Sequence, residues 1–235
     1  AIYVAAIGNA VISGNVKIKD CVNFTTSASA SYGGSALYSL GRLTMTEGSI
    51  TGNISDVARG TVYVSGANSD VTLNRVKISD NTARYGGAIY VNTGGRIMLD
   101  SDTITNNTST YLTSYSTPYT GNIHISGGAT GRFSLRDKCN IEGDLFLASV
   151  SDTIYVDEAL LNADIGEFHL LGYTTNGINY VMTLGTIVVS PNATTVTDAS
   201  QFLTRFTLMN ESTGRGLDKG GSNDKHIMIV NQFFI

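Results

Sequence analysis

The fold is decided by the stretch Ile78-Ser79-Asp80-Asn81-Thr82-Ala83-Arg84-Tyr85-Gly86-Gly87-Ala88-Ile89-Tyr90-Val91, because other parts of the chain repeat it in degenerate form. One copy runs from Phe24 to Tyr38 and a second from Ile50 to Tyr63. A third runs from Ile104 to His124 and contains an insertion. Self-similarity at a fixed period is typical of repeat proteins, whose units stack on one another.

Each unit contains short apolar runs with period-two alternation, separated by Gly, Asn and Asp. The first run carries an aromatic residue at its centre: Ile2-Tyr3-Val4, Leu37-Tyr38-Ser39, Val62-Tyr63-Val64, Ile89-Tyr90-Val91, Ile123-His124-Ile125 and Ile154-Tyr155-Val156. Leu145-Phe146-Leu147 competes for the sixth place. The second run is Val16-Lys17-Ile18, Leu43-Thr44-Met45, Val71-Thr72-Leu73, Ile97-Met98-Leu99 and Phe133-Ser134-Leu135. One apolar residue closes each unit: Phe24, Ile50, Ile78, Ile104 and Ile141.

A unit of about 25–28 residues built from short strands cannot bury its apolar face alone. Stacking solves this, because equivalent strands then pair in parallel and their alternate apolar residues fill one interior. We therefore predict an all-β parallel β-helix, with repeat coils over 1–157. Residues 158–235 are predicted to form the last irregular coils and the C-terminal cap of the same domain, since solenoids need atypical end units.

Composition excludes several classes of function. The chain has 26 Gly, 2 Pro and no Trp, and its net charge is -4 with only 14% charged residues. Without a basic run, nucleic-acid binding is not expected. No apolar run is long enough to span a bilayer. The three histidines, His124, His169 and His226, lack metal-ligand spacing, and no nucleotide-binding motif is present. We expect neither a metal nor a cofactor.

Several residue types recur at fixed positions. Asn53, Asn81 and Asn107 follow the closing residue by three positions, which predicts a ladder of side-chain amides. Gly33-Gly34, Gly60 and Gly86-Gly87 predict a corner with positive φ or close backbone approach. Arg recurs before the second run at Arg42, Arg96 and Arg132, and Asp70 holds that position in the intervening unit, so Asp70 is expected between Arg42 and Arg96.

Cys21 and Cys139 are the two cysteines of the chain. The repeat register places them about four coils apart, or roughly 19 Å at the spacing of neighbouring strands. That separation exceeds the reach of a disulfide. We therefore expect two free, buried thiols.

The aromatic row is the strongest candidate for a binding site. If the flanking apolar residues point inward, alternation places Tyr38, Tyr63, Tyr90 and His124 outward on one face. Stacked aromatic rings there suit a sugar ring or a protein surface. The alternative is that the rings only stabilise the sheet by cross-strand contact. A polar insertion, 108–120, is the second candidate, because insertions in repeats form loops, often on the binding face.

Acidic residues are the basis of an enzymatic alternative. Asp80, Asp100 and Asp102 lie near turns, and Asp20 and Glu47 are expected to be stacked neighbours. Polysaccharide hydrolysis needs at least two carboxylates together in one groove. Here the acids occur singly among Thr, Ser and Asn, which favours solvated turns.

The phrase Ile78-x-x-Asn81-x-Ala83-x-x-x-Gly87-Ala88-Ile89 resembles the joined F-x-x-N and G-G-A-I repeats of polymorphic-membrane-protein-like passengers and related bacterial surface proteins. The resemblance covers about 1–145. It implies a right-handed parallel β-helix that is secreted or displayed at the cell surface and serves adhesion without catalysis. A glycan or a host or cell-surface protein is the expected partner. A pectate-lyase-like enzyme or carbohydrate-binding module is the alternative.

The sequence begins abruptly on an apparent strand at Ala1, which we interpret as the start of an excised fragment. An open strand edge at either end of the stack would pair with another chain. End-to-end self-association is therefore a further expectation.

Overall fold

The computed structural model describes residues 1–24, 33–110, 121–126, 131–148, 152–157, 174–175, 178–179, 187–189, 193, 196–206, 215–220 and 226–231. Strands and turns dominate these residues, as the alternation predicted. The described helical structure is a 3-10 helix, Ala199–Arg205, whose N-cap Asp198 accepts a hydrogen bond from the backbone N–H of Ser200.

The strands follow one another unit by unit. The first two units contain β1 (Ile2–Val4), β2 (Asn9–Ser13), β3 (Lys17–Lys19), β4 (Leu37–Ser39), β5 (Arg42–Thr46), β6 (Ser49–Thr51) and β7 (Ile54–Arg59). The next two contain β8 (Val62–Val64), β9 (Asp70–Asn74), β10 (Lys77–Ser79), β11 (Thr82–Tyr85), β12 (Ile89–Val91), β13 (Arg96–Asp100), β14 (Thr103–Thr105) and β15 (Thr108–Ser109).

The remaining strands become less regular. They are β16 (Gly121–Ile125), β17 (Arg132–Arg136), β18 (Asn140–Ile141), β19 (Asp144–Leu147), β20 (Ile154–Val156), β21 (Thr174–Thr175), β22 (Ile178–Asn179), β23 (Ile187–Val189), β24 (Arg215–Gly220) and β25 (His226–Asn231).

Equivalent strands of successive units pair in parallel, so each unit adds one strand to several sheets. The first sheet has the order β1-β4-β8-β12-β16-β19, and the second has β2-β5-β9-β13-β17-β20-β23-β25-β24. The third sheet is β18-β14-β10-β6-β3, and the fourth is β15-β11-β7. The fold class is therefore all-β with parallel sheets of stacked strands.

The core lies between the sheets and is filled by alternate residues of each strand. In the first sheet Leu37, Val62 and Ile89 are in register, and all three are fully buried. The third sheet aligns Ile18, Ile50, Ile78, Ile104 and Ile141. Because each apolar residue sits on its equivalent in the next unit, the period in the sequence becomes a continuous apolar interior.

The first unit differs from its predicted alignment. Its second run is β2, which pairs with β5, whereas Ile18 takes the closing position opposite Ile50. Phe24, predicted as the closing residue, is 86% exposed. The error arose because Ala10-Val11-Ile12 is apolar throughout, which hides the alternation of β2.

The sixth place of the aromatic row belongs to Phe146. His124 pairs with Phe146 in the first sheet, whereas Tyr155 pairs with Ser134 in the second sheet. The assignment of Tyr155 to the aromatic row was therefore wrong, and the competing run Leu145-Phe146-Leu147 fills that place.

Left-handed backbone conformations recur at the corners between sheets. Gly34, Gly60 and Gly86 precede the first sheet with φ of 71°, 60° and 59°. At Gly60 a Cβ atom would also lie 2.7 Å from the Cβ of Tyr90, so the predicted glycine corner is sterically required. Asp20 and Glu47 both have positive φ, but Asp20 follows β3 of the third sheet and Glu47 follows β5 of the second sheet. They are not stacked neighbours.

The C-terminal part departs from the parallel repeat. β23 pairs in parallel with β20, but β25 is antiparallel to β23 and to β24. Phe202 and Phe206 of the helical segment belong to the apolar core. Most of 158–186, in the predicted cap, lies outside the described residues.

Candidate functional site

The aromatic residues of the first sheet form one continuous column, which we call the aromatic column: Tyr3, Tyr38, Tyr63, Tyr90, His124 and Phe146. The ring centroids of Tyr63 and Tyr90 are 5.6 Å apart at 10°, and those of Tyr90 and His124 are 4.6 Å apart at 14°. Tyr38 meets Tyr63 edge-on at 4.9 Å. These separations lie within the range of favourable aromatic pairs.

The central three rings of the aromatic column are buried, which corrects the expectation that Tyr63, Tyr90 and His124 form an outward binding row. Tyr63 is 1%, Tyr90 3% and His124 7% exposed, so their ring faces are not available to a ligand. Tyr38 is half-buried, and Tyr3 is 61% exposed. The two ends of the column are therefore more exposed than its centre, because Phe146 is also half-buried, and the most exposed ring is Tyr3 at the N-terminal end.

Arg59 and Tyr85, in the fourth sheet, contact the buried part of the column. Arg59 ends β7, its guanidinium carbon lies 5.0 Å from the Tyr90 ring centroid, and its Nη1 donates to the Tyr90 hydroxyl at 2.9 Å. Tyr85 meets the His124 ring edge-on at 5.7 Å. The sequence contained a signal for this arrangement: Arg59 and Tyr85 both directly precede a corner glycine.

Burial sets the protonation of the column. It raises the pKa of the Tyr63 and Tyr90 phenols, which therefore stay protonated. Burial, with the charge of Arg59 as a second cause, lowers the pKa of His124 to about 3. His124 is thus neutral at physiological pH, stacks on Tyr90 and packs at a tilt against Phe146, so it contributes an aromatic ring to the column rather than a charge.

The asparagine ladder predicted from the sequence is present as buried hydrogen bonds. Asn53 Nδ2 donates to Asn81 Oδ1 at 2.8 Å, and Asn81 Nδ2 donates to Asn107 Oδ1 at 2.8 Å. The same oxygens accept from the backbone N–H groups of Asn53 and Asn81. Asn81 Nδ2 also donates to the carbonyl oxygen of Ile50 at 2.9 Å. The ladder therefore joins successive units.

Cys21 occupies the first rung of this ladder. Its backbone N–H donates to Asn53 Oδ1 at 3.0 Å. Both cysteines are free, as expected, but Cys21 is only partly buried. Burial raises the pKa of the Cys139 thiol to about 12, so that thiol stays protonated.

The acidic residues near the turns hold neighbouring strands together. Asp80 accepts a hydrogen bond from Asn106 of the next unit, which is the main cause that lowers the Asp80 pKa. Asp100 accepts from Asn74 Nδ2 at 2.9 Å. Within the described part of the chain, no group of three or more His, Cys, Asp or Glu side chains is placed to hold a metal ion.

Asp102 is a fully buried carboxyl group. Its Oδ1 accepts from the Val76 N–H at 2.6 Å and its Oδ2 from the Asp100 N–H at 3.0 Å. Burial nevertheless raises its pKa to about 8, because removal from water disfavours the charged form.

The predicted row of Arg42, Asp70 and Arg96 is in register across β5, β9 and β13. Asp70 lies between the two arginines, but these three residues form none of the ion pairs within 4.0 Å among the described side chains. The register is as predicted, whereas close ion pairing is not seen.

The first two residues of the predicted loop 108–120 are in a strand. Thr108 and Ser109 form β15 and pair with Thr82 and Ala83, so they belong to the fourth sheet. Residues 111–120 lie outside the described residues. None of the helical structure in the described ranges has the length and apolar character of a membrane span.

Comparison with family models, with curated proteins and with solved structures finds no match to this chain. Its function must therefore be inferred from its own sequence and geometry.

Proposed function

We propose that this chain is a right-handed parallel β-helix that acts as a non-enzymatic adhesion or structural module, secreted or displayed on a cell surface. The resemblance of Ile78–Ile89 to surface-protein repeats supports the handedness and the location. The stacked parallel sheets support the solenoid. Low charge and a surface rich in Thr, Ser and Asn suit an extracellular stalk.

One observation carries the proposal: polar side chains throughout the repeats bond one unit to the next. The amides of Asn53 and Asn81 donate to the following rung, and Asp80 and Asp100 accept from asparagines of adjacent units. These side chains form hydrogen bonds between successive units, so they stabilise the stack of strands.

The exposed end of the aromatic column is the proposed adhesive surface. Tyr3 and Tyr38 pack edge-on at 5.3 Å and offer an apolar ring beside phenolic hydroxyls. Such a surface suits the apolar face of a sugar or a protein partner. The partner is a glycan or a host or cell-surface protein. The same end carries open strand edges, which support end-to-end self-association.

Adhesion of beads coated with the purified chain to epithelial cells tests this function. The double substitution Tyr3→Ala/Tyr38→Ala is expected to reduce bead adhesion, whereas Phe24→Ala removes an 86% exposed aromatic residue outside the column and leaves adhesion unchanged. Equal adhesion of all three proteins, or none, would overturn the adhesive surface. Release of reducing ends or unsaturated products from acidic polysaccharides would instead establish the carbohydrate-active enzyme.

A further inference from the structure

A row of charged side chains crosses the outer face of the second sheet, and its alternation of sign breaks at one point. Arg42 faces Asp70, and Asp70 faces Arg96. The next partner in register is Arg132, directly opposite Arg96. Neighbouring parallel strands lie only about 4.8 Å apart, and like charges directly opposite one another are destabilising.

The two arginines lack a close acidic partner. Among the described side chains, neither Arg96 nor Arg132 has a carboxylate within 4.0 Å. Arg132 instead lies over the Tyr155 ring, with its guanidinium carbon 4.8 Å from the ring centroid. This contact restricts the Arg132 side chain but does not neutralise its charge.

A cavity of about 240 Å³ opens at this position. Its lining combines cationic, acidic, hydroxyl and apolar groups: Asp70, Thr72, Arg96, Met98, Arg132 and Ser134, with Arg136 and Asp157 at one side. Arg136 is already paired, because its Nη2 lies 2.5 Å from Asp157 Oδ2 and its Nη1 lies 3.9 Å from Asp100 Oδ2. Among the three arginines of the cavity, Arg96 and Arg132 are therefore the two without a described carboxylate within 4.0 Å.

We propose that this cavity, which we call the arginine groove, binds one acidic sugar unit of a glycan, with its carboxylate between Arg96 and Arg132. A guanidinium group matches a carboxylate in a bidentate hydrogen-bonded geometry. A ligand carboxylate placed there relieves the repulsion between the two arginines. This inference goes beyond the proposed adhesive surface, since it concerns another sheet and a different ligand group.

The remaining lining favours a sugar over a bare anion or an acidic peptide. Asp70, Thr72 and Ser134 offer acceptors and hydroxyls for sugar hydroxyl groups, and Met98 offers an apolar surface for a ring face. The Asp70 carboxylate opposes a second negative charge on the ligand. The cavity is smaller than the roughly 300–1,000 Å³ of pockets for drug-sized ligands, which fits a single sugar unit.

Titration of the ¹⁵N-labelled chain at low salt tests the proposal. The probes are glucuronate, galacturonate and N-acetylneuraminate, with glucose and galactose as neutral counterparts and acetate and a glutamate peptide as other carboxylates. Shifts of the Nε–Hε signals of Arg96 and Arg132 report on the site, and their concentration dependence gives the Kd. At least one acidic sugar is expected to bind about tenfold more tightly than every other probe.

Arg132→Gln and Arg96→Gln are each expected to weaken that binding about tenfold, because each removes one charged hydrogen-bonding group. Arg42→Gln is the matched control, since Arg42 holds the same register position but lies outside the cavity. The midpoint of urea unfolding identifies any variant that is not folded. If one of the two arginine variants is unfolded, binding by the other variant tests the proposal.

Several results would overturn the arginine groove as an acidic-sugar site. They are failure of all three acidic sugars to bind, equal binding of an acidic sugar and its neutral counterpart, and equal weakening by Arg42→Gln and Arg132→Gln. Tighter binding of acetate or the glutamate peptide would also overturn it. None of these results bears on bead adhesion through Tyr3 and Tyr38, so the two proposals fail separately.

Discussion

In the register of the third sheet, Asp102 is equivalent to Val76 of the preceding unit and to Cys139 of the following unit. Its two backbone hydrogen bonds satisfy the Val76 and Asp100 N–H groups. They do not offset the loss of water, since the pKa rises to about 8. Asp102 thus provides hydrogen-bond acceptors for two backbone N–H groups near the turn, but this arrangement buries an ionisable carboxyl group.

This pKa predicts a pH dependence of stability. The folded chain holds the Asp102 proton up to about pH 8, whereas the unfolded chain releases it near pH 4. The folded state therefore binds more protons at Asp102 between these values, and the Asp102 contribution to the free energy of unfolding falls as pH rises from about 4 to 8. His124, whose pKa is lowered to about 3, has the opposite effect up to its unfolded pKa of about 6.5, so the net fall is expected from about pH 6.5 to 8. Asp102→Asn is expected to flatten this fall in urea unfolding measured across that range.

Asp80→Asn is the control for that experiment, because the Asp80 carboxyl is exposed and its pKa is lowered. It is expected to keep the wild-type decline between about pH 6.5 and 8. Parallel profiles for wild type and Asp102→Asn would show that Asp102 does not contribute to the decline.

Residue identity alone did not reveal burial in the aromatic column. Alternation correctly placed Tyr63 and Tyr90 on the face opposite the core-facing Val62 and Ile89. It contained no information about what lies over that face. Arg59 and Tyr85 contact the column from a different sheet, and such contacts depend on a corner angle that a single sequence does not specify.

At the scale of elements, the asparagine ladder lies between the strands of the third and fourth sheets and joins successive units. Asn81 is the central rung and makes hydrogen bonds to Asn53, Asn107 and Ile50. Asn81→Ala is expected to lower the free energy of unfolding by about 3 kcal/mol, because it leaves buried donors and acceptors unsatisfied. Urea denaturation followed by circular dichroism measures the change.

Asn74→Ala provides the comparison. Asn74 is half-buried and donates one cross-strand hydrogen bond, to Asp100 at 2.9 Å, so its loss is expected to cost about 1 kcal/mol. If Asn81→Ala costs no more than Asn74→Ala, the ladder does not contribute more than an ordinary surface contact.

The parallel sheets were predictable because equivalent residues recur at a nearly constant interval. Where the interval was regular, from Ile50 to Ile104, the predicted and observed registers agree. The prediction failed at the first unit, where β2 lacks alternation, and at β15, where Thr108-Ser109 looks like loop. Short polar strands are stabilised by the neighbouring strand rather than by their own pattern.

At the scale of the whole molecule, β1, β2 and β3 lie at the ends of three sheets. Ile2, Ile12 and Val16 are partly exposed at this end and pack on the core. Open edges with apolar neighbours promote pairing with another chain. Multi-angle light scattering is expected to show a molar mass above that of one chain as concentration rises.

Ile12→Lys is expected to return the scattering mass to that of one chain, because an inward-pointing charge blocks edge pairing. Ile7→Lys is the control, since Ile7 is 98% exposed but lies in a turn between β1 and β2. A wild-type chain that stays monomeric at high concentration, or equal effects of both lysines, would contradict association through the strand edges.

The shared register of Ile50, Ile78 and Ile104 has a consequence for how such a chain changes length. Each unit presents one set of groups to the unit before it and the complementary set to the unit after it, as Asn81 does when it accepts from Asn53 and donates to Asn107. An in-frame duplication of the segment that encodes one unit therefore creates no new kind of interface. The molecule can grow or shrink by whole units, about 4.8 Å at a time, while its internal chemistry stays the same.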